Sequence, residues 1–404
     1  MKERIRVVEL IYGFGIENIG GGAERFAIAL GQNLDASQFD VEIWGLWDRG
    51  TFFEQKHIAQ LKDSGLKTVV ATYWDEDHPV NSLWRAYQEM QRMLLTRPYH
   101  ILHSHSQFGD ILAVLCKMLS KVPVVVRTVH HGYHLEWSKK PLRRLLLTNL
   151  LYPVYFDAEI GVSPSVAANL DRRWLAKVLN KHSRCIYNAI DLQRFSPSAV
   201  HDRKERDDLG IPPDAIVIGS VGRLVEGKGY DTLLKAAAIV LKVFPEAFFL
   251  LVGNGNLLSH LIELANQLEI AERVMFTGPR FDVEDIFTYI DLFVLPSLWE
   301  GLPTVILESI ASGVPVIATN IPGIRRLIHD RETGWLVPVN QPSVLADTII
   351  KAIRSPVERL KYAQCAANTL LDEFSIINVA KIYEDLYREF LNLSDSDLGA
   401  QIHF

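Results

Sequence analysis

The sequence predicts an α/β protein of two doubly wound domains, each with a parallel sheet covered by helices on both faces. Three observations carry that prediction. The chain has 404 residues, which at roughly 150 residues per domain points to two or three domains. Short apolar, β-branched runs alternate with amphipathic helical stretches through both halves, and strands that are apolar throughout suit parallel sheets buried on both faces. Between the halves lies the polar stretch Asp191-Leu-Gln-Arg-Phe-Ser-Pro-Ser198, followed by a charged run at 201–208 and Gly210-Ile-Pro-Pro213, the composition of a linker.

In chain order, the first half predicts strand Arg6–Ile11, helix Ala23–Leu34, strands Val41–Leu46 and Lys67–Ala71, helix Val80–Leu95, and strands His100–His103 and Val122–Thr128. The second half predicts strand Ile216–Val221, helix Tyr230–Phe244, strand Phe248–Val252, helix Leu257–Leu268 and strand Val274–Thr277. Strands Leu292–Leu295 and Val314–Ala318 flank a helix at Val305–Ala311. A last helix, Asn378–Leu393, could pack on either half. In such folds ligands bind beyond the carboxyl ends of the strands.

Composition narrows the function. Hydrophobic residues make up 48% and charged residues 22%, a balance that excludes global disorder. The net charge of −6 argues against a nucleic-acid partner. Residues 1–196 carry 24 Lys and Arg against 20 Asp and Glu, whereas residues 197–404 carry 18 against 28. Cys116, Cys185 and Cys365 are far apart and without CxxC spacing, so they predict a reducing compartment and three buried thiols rather than disulfides. The apolar stretch Leu145–Phe156 is too short to span a bilayer, and the N-terminus runs straight into a strand. Together these point to a cytoplasmic protein.

Several loops could carry chemistry. The first strand leads into Gly13-Phe-Gly15-Ile-Glu-Asn-Ile-Gly20-Gly21-Gly22-Ala-Glu24, where glycine amides at a helix start can approach an anion, or simply form a flexible turn. The spacing is wrong for a dinucleotide fingerprint. Gly222-Arg223-Leu-Val-Glu-Gly227-Lys228-Gly229 places two cations in a strand-to-helix loop, which suits a diphosphate. Gly253-Asn254-Gly255 follows the next strand. Ser297-Leu-Trp-Glu300-Gly301-Leu302-Pro303-Thr304 turns into a helix that contains Glu308, with Pro303 expected at the first helical position. The two acids could accept bonds from ligand hydroxyls; equally, Glu300 could be a helix-dipole partner and Glu308 a solvated residue. In the first half, His103, His105, His130, His131 and His134 gather near two strand ends. With no carboxylate or cysteine spacing to complete a site, no metal is expected there, and His130 suits acid–base or polar substrate contact better.

Together, these pieces resemble the family-four retaining glycosyltransferases. The matching residues are Gly20-Gly21-Gly22-Ala23-Glu24, His103-Ser-His105, Thr128-Val-His130, Val162-Ser163-Pro-Ser165, Asn188-Ala-Ile-Asp191, the Arg223/Lys228 loop, Val252-Gly253-Asn254-Gly255, Pro296-Ser297 and the Glu300/Glu308 pair. The resemblance implies the GT-B fold, two Rossmann-like domains facing across a cleft. An acceptor-side domain would span 1–195, joined by the C-terminal helix 378–404, and a donor domain would span 196–377. It implies transfer of a sugar from a nucleotide-diphosphate donor, with retention and without an obligatory metal or other cofactor, to a glycan, lipid-linked or small-molecule acceptor. In that reading Arg223 and Lys228 neutralise the leaving diphosphate. Gly301, Leu302, Pro303 and Thr304 hold phosphate or sugar hydroxyls, Glu308 accepts from the ribose diol, and Glu300 and His130 lie beside the donor sugar. Gly21 and Gly22 approach the phosphates, Gly253 lines the donor loop, and Arg280 meets the base.

The chain departs from the family pattern at Pro322-Gly-Ile-Arg325-Arg326, where an acid is usual, and at Asn188-Ala189, where Asn-Gly is common. An epimerase of the same fold, or a non-catalytic carbohydrate-binding relic, is the competing reading. A basic, apolar stretch at 137–147 and a second cluster, Arg172-Arg173-Trp174-Leu-Ala-Lys177, would suit peripheral contact with an anionic membrane; the alternative is an ordinary domain helix with a solvated basic edge.

Overall fold

The computed structural model describes residues 4–15, 21–75, 77–119, 122–130, 145–196, 209–280 and 282–391. Contacts divide the chain into two compact units: Met1–Ala189 with Ile376–Phe404, and Ile190–Ser375. Each is built on one parallel sheet.

The first unit's strands are β1 (Ile5–Gly13), β2 (Phe39–Asp48), β3 (Lys67–Tyr73), β4 (Ile101–Ser104), β5 (Val124–Val129), β6 (Ala158–Gly161) and β7 (Arg184–Cys185), in spatial order β3-β2-β1-β4-β5-β6-β7. The pairings are parallel, and Glu9 on β1 stands opposite Ile43 on β2 and His103 on β4. One face packs Ile5, Val7, Val126 and Ile160 against Phe26 and Leu30 of the Gly22–Asn33 helix. The last helix, Ile376–Phe390, completes that same core with Val379, Ala380, Tyr383, Leu386 and Tyr387. Its hydrophilic edge is tied down as well: Glu384 accepts the Asp35 backbone N–H at 2.7 Å.

The other face buries Trp44, Leu46, Trp47, Tyr87, Leu102, Leu112 and Phe156. The apolar stretch beginning at Leu145 is a π-helix, Leu145–Leu151, running into a short helix, Tyr152–Tyr155. Leu147, Leu151 and Tyr152 pack on this core, while Leu146 is exposed. Beneath them, Arg127 of β5 is buried, 4.4 Å from the Tyr152 ring centroid and within reach of Asp110 and Glu159. Glu159 also pairs with Arg173, so Arg173 is buried and does not contribute to a surface basic cluster.

The second unit's strands are β8 (Ile216–Val221), β9 (Ala247–Val252), β10 (Val274–Phe276), β11 (Leu292–Leu295), β12 (Val316–Thr319) and β13 (Trp335–Val337), ordered β10-β9-β8-β11-β12-β13. Every residue of β9 is buried, as its uninterrupted apolar sequence requires. The Tyr230–Val243 and Pro342–Arg354 helices cover the core that holds Phe249, Leu251 and Val294. β12 begins later than the sequence predicts. The Val314 N–H bonds back to Ser309 at the preceding helix end, and Pro315 has no N–H to give.

The thiols differ from expectation: Cys116 is buried, Cys365 is half-buried and Cys185 is exposed, because β7 is a two-residue edge strand. Among the described residues no helix is long and apolar enough to cross a membrane. Leu386→Ala is expected to cost about 2–5 kcal/mol, the range for a buried Leu truncation. In chemical denaturation the first unit should unfold earlier and the second at its original midpoint. Equal shifts of both would contradict the assignment of the last helix to the first core.

Candidate active site

In the second sheet the strand order reverses between β8 and β11, so loops leaving those strands diverge and open a crevice beyond their carboxyl ends. The loop after β8 and the turn after β11 are bonded together there. Leu298 donates its backbone N–H to Gly227 O at 2.7 Å. Lys228 Nζ reaches Glu300 Oε1 at 2.6 Å, and Ser297 Oγ donates to the same oxygen at 2.7 Å. The Glu300 side chain is only 4% exposed, so this pair works in a largely dry setting where a charged bond is short and strong. Arg223 is half-buried in the same loop.

Two glycines make the convergence possible. Gly229 has φ +71°, and a Cβ there would lie 2.0 Å from Pro296 O. Gly253, after β9, has φ +135° and would meet Gly222 O at 2.0 Å. The β9 loop is fastened to the β8 loop by Leu224 N–H to Asn254 O at 2.9 Å.

The helix after β11 runs Thr304–Ala311. Pro303 is its N-cap, one position earlier than predicted, and Gly301, Leu302 and Pro303 are buried. Its first amides and positive dipole end face the turn that carries Glu300. Glu308 is buried rather than solvated. Arg280 lies after β10, gripped by both carboxylate oxygens of Asp282. At the atypical stretch, Arg325 binds Asn320 Oδ1 at 2.6 Å and Arg326 binds Glu373. Both bases are therefore used within this unit.

The first sheet has its own reversal, between β1 and β4, and a buried polar cluster sits beside it. His105 Nε2 lies 2.7 Å from Glu9 Oε2, and His105 Nδ1 lies 3.2 Å from His130 Nε2. His103 Nδ1 is 2.7 Å from the Tyr387 hydroxyl and 3.0 Å from Glu9 Oε2; its Nε2 is 2.8 Å from Thr128 Oγ1. Tyr387 donates to Glu9 Oε1 at 2.9 Å. Burial works to raise the Glu9 carboxyl, but the charge of His103 and the bonds from His103 and His105 outweigh it and hold it at about 2. Burial, with His103 beside it, lowers His105 to about 4 despite the opposing pull of Glu9. Burial also raises the Tyr383 and Tyr387 hydroxyls.

Sequence reasoning missed Glu9. It completes a group with His103 and His105 whose candidate ligand atoms lie within 4.8 Å of one another, against the expectation that no carboxylate stood there. The signal was a lone acid inside the apolar run Val7–Ile11. Each ring nitrogen of the two histidines already meets a protein group, so the geometry is that of a hydrogen-bonded network. Glu54 was missed too. It is buried near Gly13, and burial together with the neighbouring Asp48 raises it to about 7, against a bond from the Arg49 N–H.

Gly21 and Gly22 open the Gly22–Asn33 helix, where Glu24 Oε2 receives the Gly21 N–H at 2.9 Å. Phe26 of that helix stands 5.6 Å from the His130 ring and 6.0 Å from His105. Gly20, His131, His134, the basic run at 137–144 and the charged run at 201–208 lie outside the described residues.

Residues 20–194 match Glycosyltransferase Family 4, and residues 201–369 match Glycosyl transferases group 1. Over 303 residues the chain is 30% identical to the putative glycosyltransferase EpsF of Bacillus subtilis (strain 168), covering 69% of this chain and 75% of that protein. The chain belongs to the family-four glycosyltransferases. It is also 29% identical over 304 residues, 74% of this chain and 77% of the relative, to the UDP-Gal:alpha-D-GlcNAc-diphosphoundecaprenol alpha-1,3-galactosyltransferase of Escherichia coli. Among solved structures, Anabaena Alr3699/HepE in complex with UDP-glucose matches with a TM-score of 0.80 at 19% identity, over 96% of this glycosyltransferase and all of that chain, and so shares its GT-B fold.

Gly229→Ala is expected to force a left-handed backbone onto a side chain that collides with Pro296, parting the Lys228–Glu300 loops. Strain of this kind costs on the order of 1–3 kcal/mol. At about 2–4 °C per kcal/mol for a unit of this size, calorimetry should show the second transition falling by several degrees. An unchanged transition would contradict the loop packing.

Proposed function

We propose that this glycosyltransferase moves a sugar from a uridine-diphosphate donor to a lipid-linked diphosphate acceptor, with retention of anomeric configuration. The observation that carries the donor half is the meeting of Arg223, Lys228 and the Thr304–Ala311 helix start at one sheet edge of the second unit. Two cations and a positive dipole end are what a departing diphosphate needs. The relatives support the choice of base and acceptor class, since one is named for UDP-Gal and a diphosphoundecaprenol and another binds UDP-glucose.

In this reading residues 196–377 bind the donor, and 1–195 with 378–404 bind the acceptor. The acceptor hydroxyl oxygen bonds to the anomeric carbon. The bond from that carbon to the donor phosphate oxygen breaks, its electron pair leaves with the diphosphate, and the hydroxyl proton passes to the same leaving group. Arg223 and Lys228 stabilise the charge that develops there. Glu300, already fixing Lys228, orients that cation. Glu308 receives the ribose hydroxyls, the amides of Gly301, Leu302 and Thr304 hold phosphate or sugar oxygens around Pro303, and Gly253 keeps the donor loop close. Arg280 contacts the base after exchanging its hold on Asp282. Gly21 and Gly22 approach the acceptor side of the phosphates, and His130 contacts a sugar hydroxyl.

The acceptor class is supported by a second feature. In the first unit, exposed Trp174, Val178 and Leu179 stand beside exposed Arg172 and Lys177. Apolar side chains interleaved with cations suit the headgroup zone of an anionic membrane, where each Lys or Arg is worth about 1 kcal/mol. Sedimentation with anionic vesicles should deplete the protein from the supernatant, less so in high salt and less so for Trp174→Ala. Equal recovery with anionic and neutral vesicles would rule that surface out.

Donor binding is tested by a thermal-shift panel of nucleotide sugars, since a bound ligand raises stability by mass action. UDP-sugars should stabilise the chain, and Lys228→Ala should weaken UDP by about 1.5–3 kcal/mol, roughly 10- to 150-fold. Wild-type affinity and turnover in that variant would overturn the donor site.

A further inference from the structure

The buried cluster of the first unit carries one more inference, which rests on the transferase reading of His130. We propose that Glu9 and His105 are positioning residues that fix the tautomer of His130, a buried residue, with the ring proton on Nε2 and the lone pair on Nδ1, where it would accept from a sugar hydroxyl.

The proton positions follow from the partners. An ionised carboxylate only accepts hydrogen bonds. Glu9 Oε1 takes the Tyr387 hydroxyl proton, so the close approach of His105 Nε2 to Oε2 at 2.7 Å requires the His105 proton to be on Nε2. Burial keeps His105 neutral near pH 7, which leaves it one ring proton and makes its Nδ1 a bare acceptor. The 3.2 Å contact from that atom to His130 Nε2 then needs a proton supplied by His130. A neutral His130 that carries its proton on Nε2 has its lone pair on Nδ1.

The surrounding groups resist the opposite arrangement. Turning the His105 tautomer over would set a lone pair against the Glu9 carboxylate. The His103 Nδ1–H, directed to the Tyr387 oxygen and Glu9, holds that carboxylate from a third side. The chain continues through Thr128 to Tyr383, whose hydroxyl is 3.0 Å from Thr128 Oγ1. Phe26 packs by its ring against His105 and His130, limiting rotation of both. A histidine held in one tautomer is an acceptor all of the time rather than part of it.

Two-bond proton–nitrogen correlation spectra of the full chain with nitrogen-15 histidine, near pH 7.5 and without substrate, read the tautomer directly. The His130 signals are identified by their loss in His130→Gln. The expected result is a proton on Nε2 in both His105 and His130. A proton on Nδ1 of His130, or an average of two tautomers, would overturn the proposal in the wild-type chain itself, His130→Gln serving only for assignment. In Glu9→Leu no acceptor faces His105 Nε2, so His105 and His130 should both lose their single tautomer. Sugar transfer should then fall roughly 10- to 100-fold in kcat, as for one hydrogen bond that counts in the transition state, with donor KM little changed. His105→Asn supplies an oxygen in place of Nδ1 and should keep the wild-type His130 tautomer and most of kcat; an inverted His130 there counts against the relay. The spectra report on the relay whatever the chain catalyses. The expected tautomers in a wild-type chain that transfers no sugar would refute the functional reading and the role assigned to Nδ1, whereas transfer with the opposite tautomer would refute the relay alone.

Discussion

The constraint on which the rest of this structure depends is the reversal of strand order in each parallel sheet. Parallel pairing sends all carboxyl ends to one edge, and the reversal makes two adjacent strands release their loops in opposite directions. At β8 and β11 that single fact brings a loop with two cations against a turn with an acid. At β1 and β4 it sets Glu9 opposite His103, two residues that are 94 positions apart in the chain. Neither meeting depends on a local motif. Both follow from which strand pairs with which.

What the reversal brings together must still be made tolerable to bury. A carboxylate with no exposure costs several kcal/mol unless its lone pairs are met, and losing one partner of such a group is more harmful than never having had the group. Glu9 is surrounded by two imidazoles and a phenol, and Arg127 by two acids and an aromatic face. The last helix is indispensable to the first arrangement, because Tyr383 and Tyr387 supply hydroxyls as well as apolar surface. The polar cluster therefore links the sheet centre to the chain's final helix, and local opening of that helix would disturb the histidines.

Much of this was legible in the sequence. Uninterrupted apolar runs such as Ala247–Val252 announce central parallel strands, and the glycines of the β8 loop announce a close approach that only glycine permits at Gly229. The Arg223/Lys228 and Glu300/Glu308 residues were visible as chemistry without a geometry. What sequence could not supply is the identity of partners distant along the chain. Glu9 looks like an interruption of a strand until His105 is known to stand beside it. Arg173 looks like part of a basic cluster until Glu159, 14 residues earlier, is found buried against it. Likewise Cys185 has the composition of a core residue and the position of a sheet edge. Pattern reports which face a residue prefers, whereas partner choice is set by tertiary packing.

The central claim is that the strand-end loops of the second unit form the donor site. Hydrogen–deuterium exchange of the full chain, with and without a saturating UDP-sugar, tests it most directly, because amides that hold a ligand exchange more slowly when it is bound. Ligand-dependent protection is expected to concentrate in peptides covering Gly222–Gly229, Gly253–Gly255 and Pro296–Glu308. Saturation without protection of those peptides, or protection confined to the first unit, would contradict it.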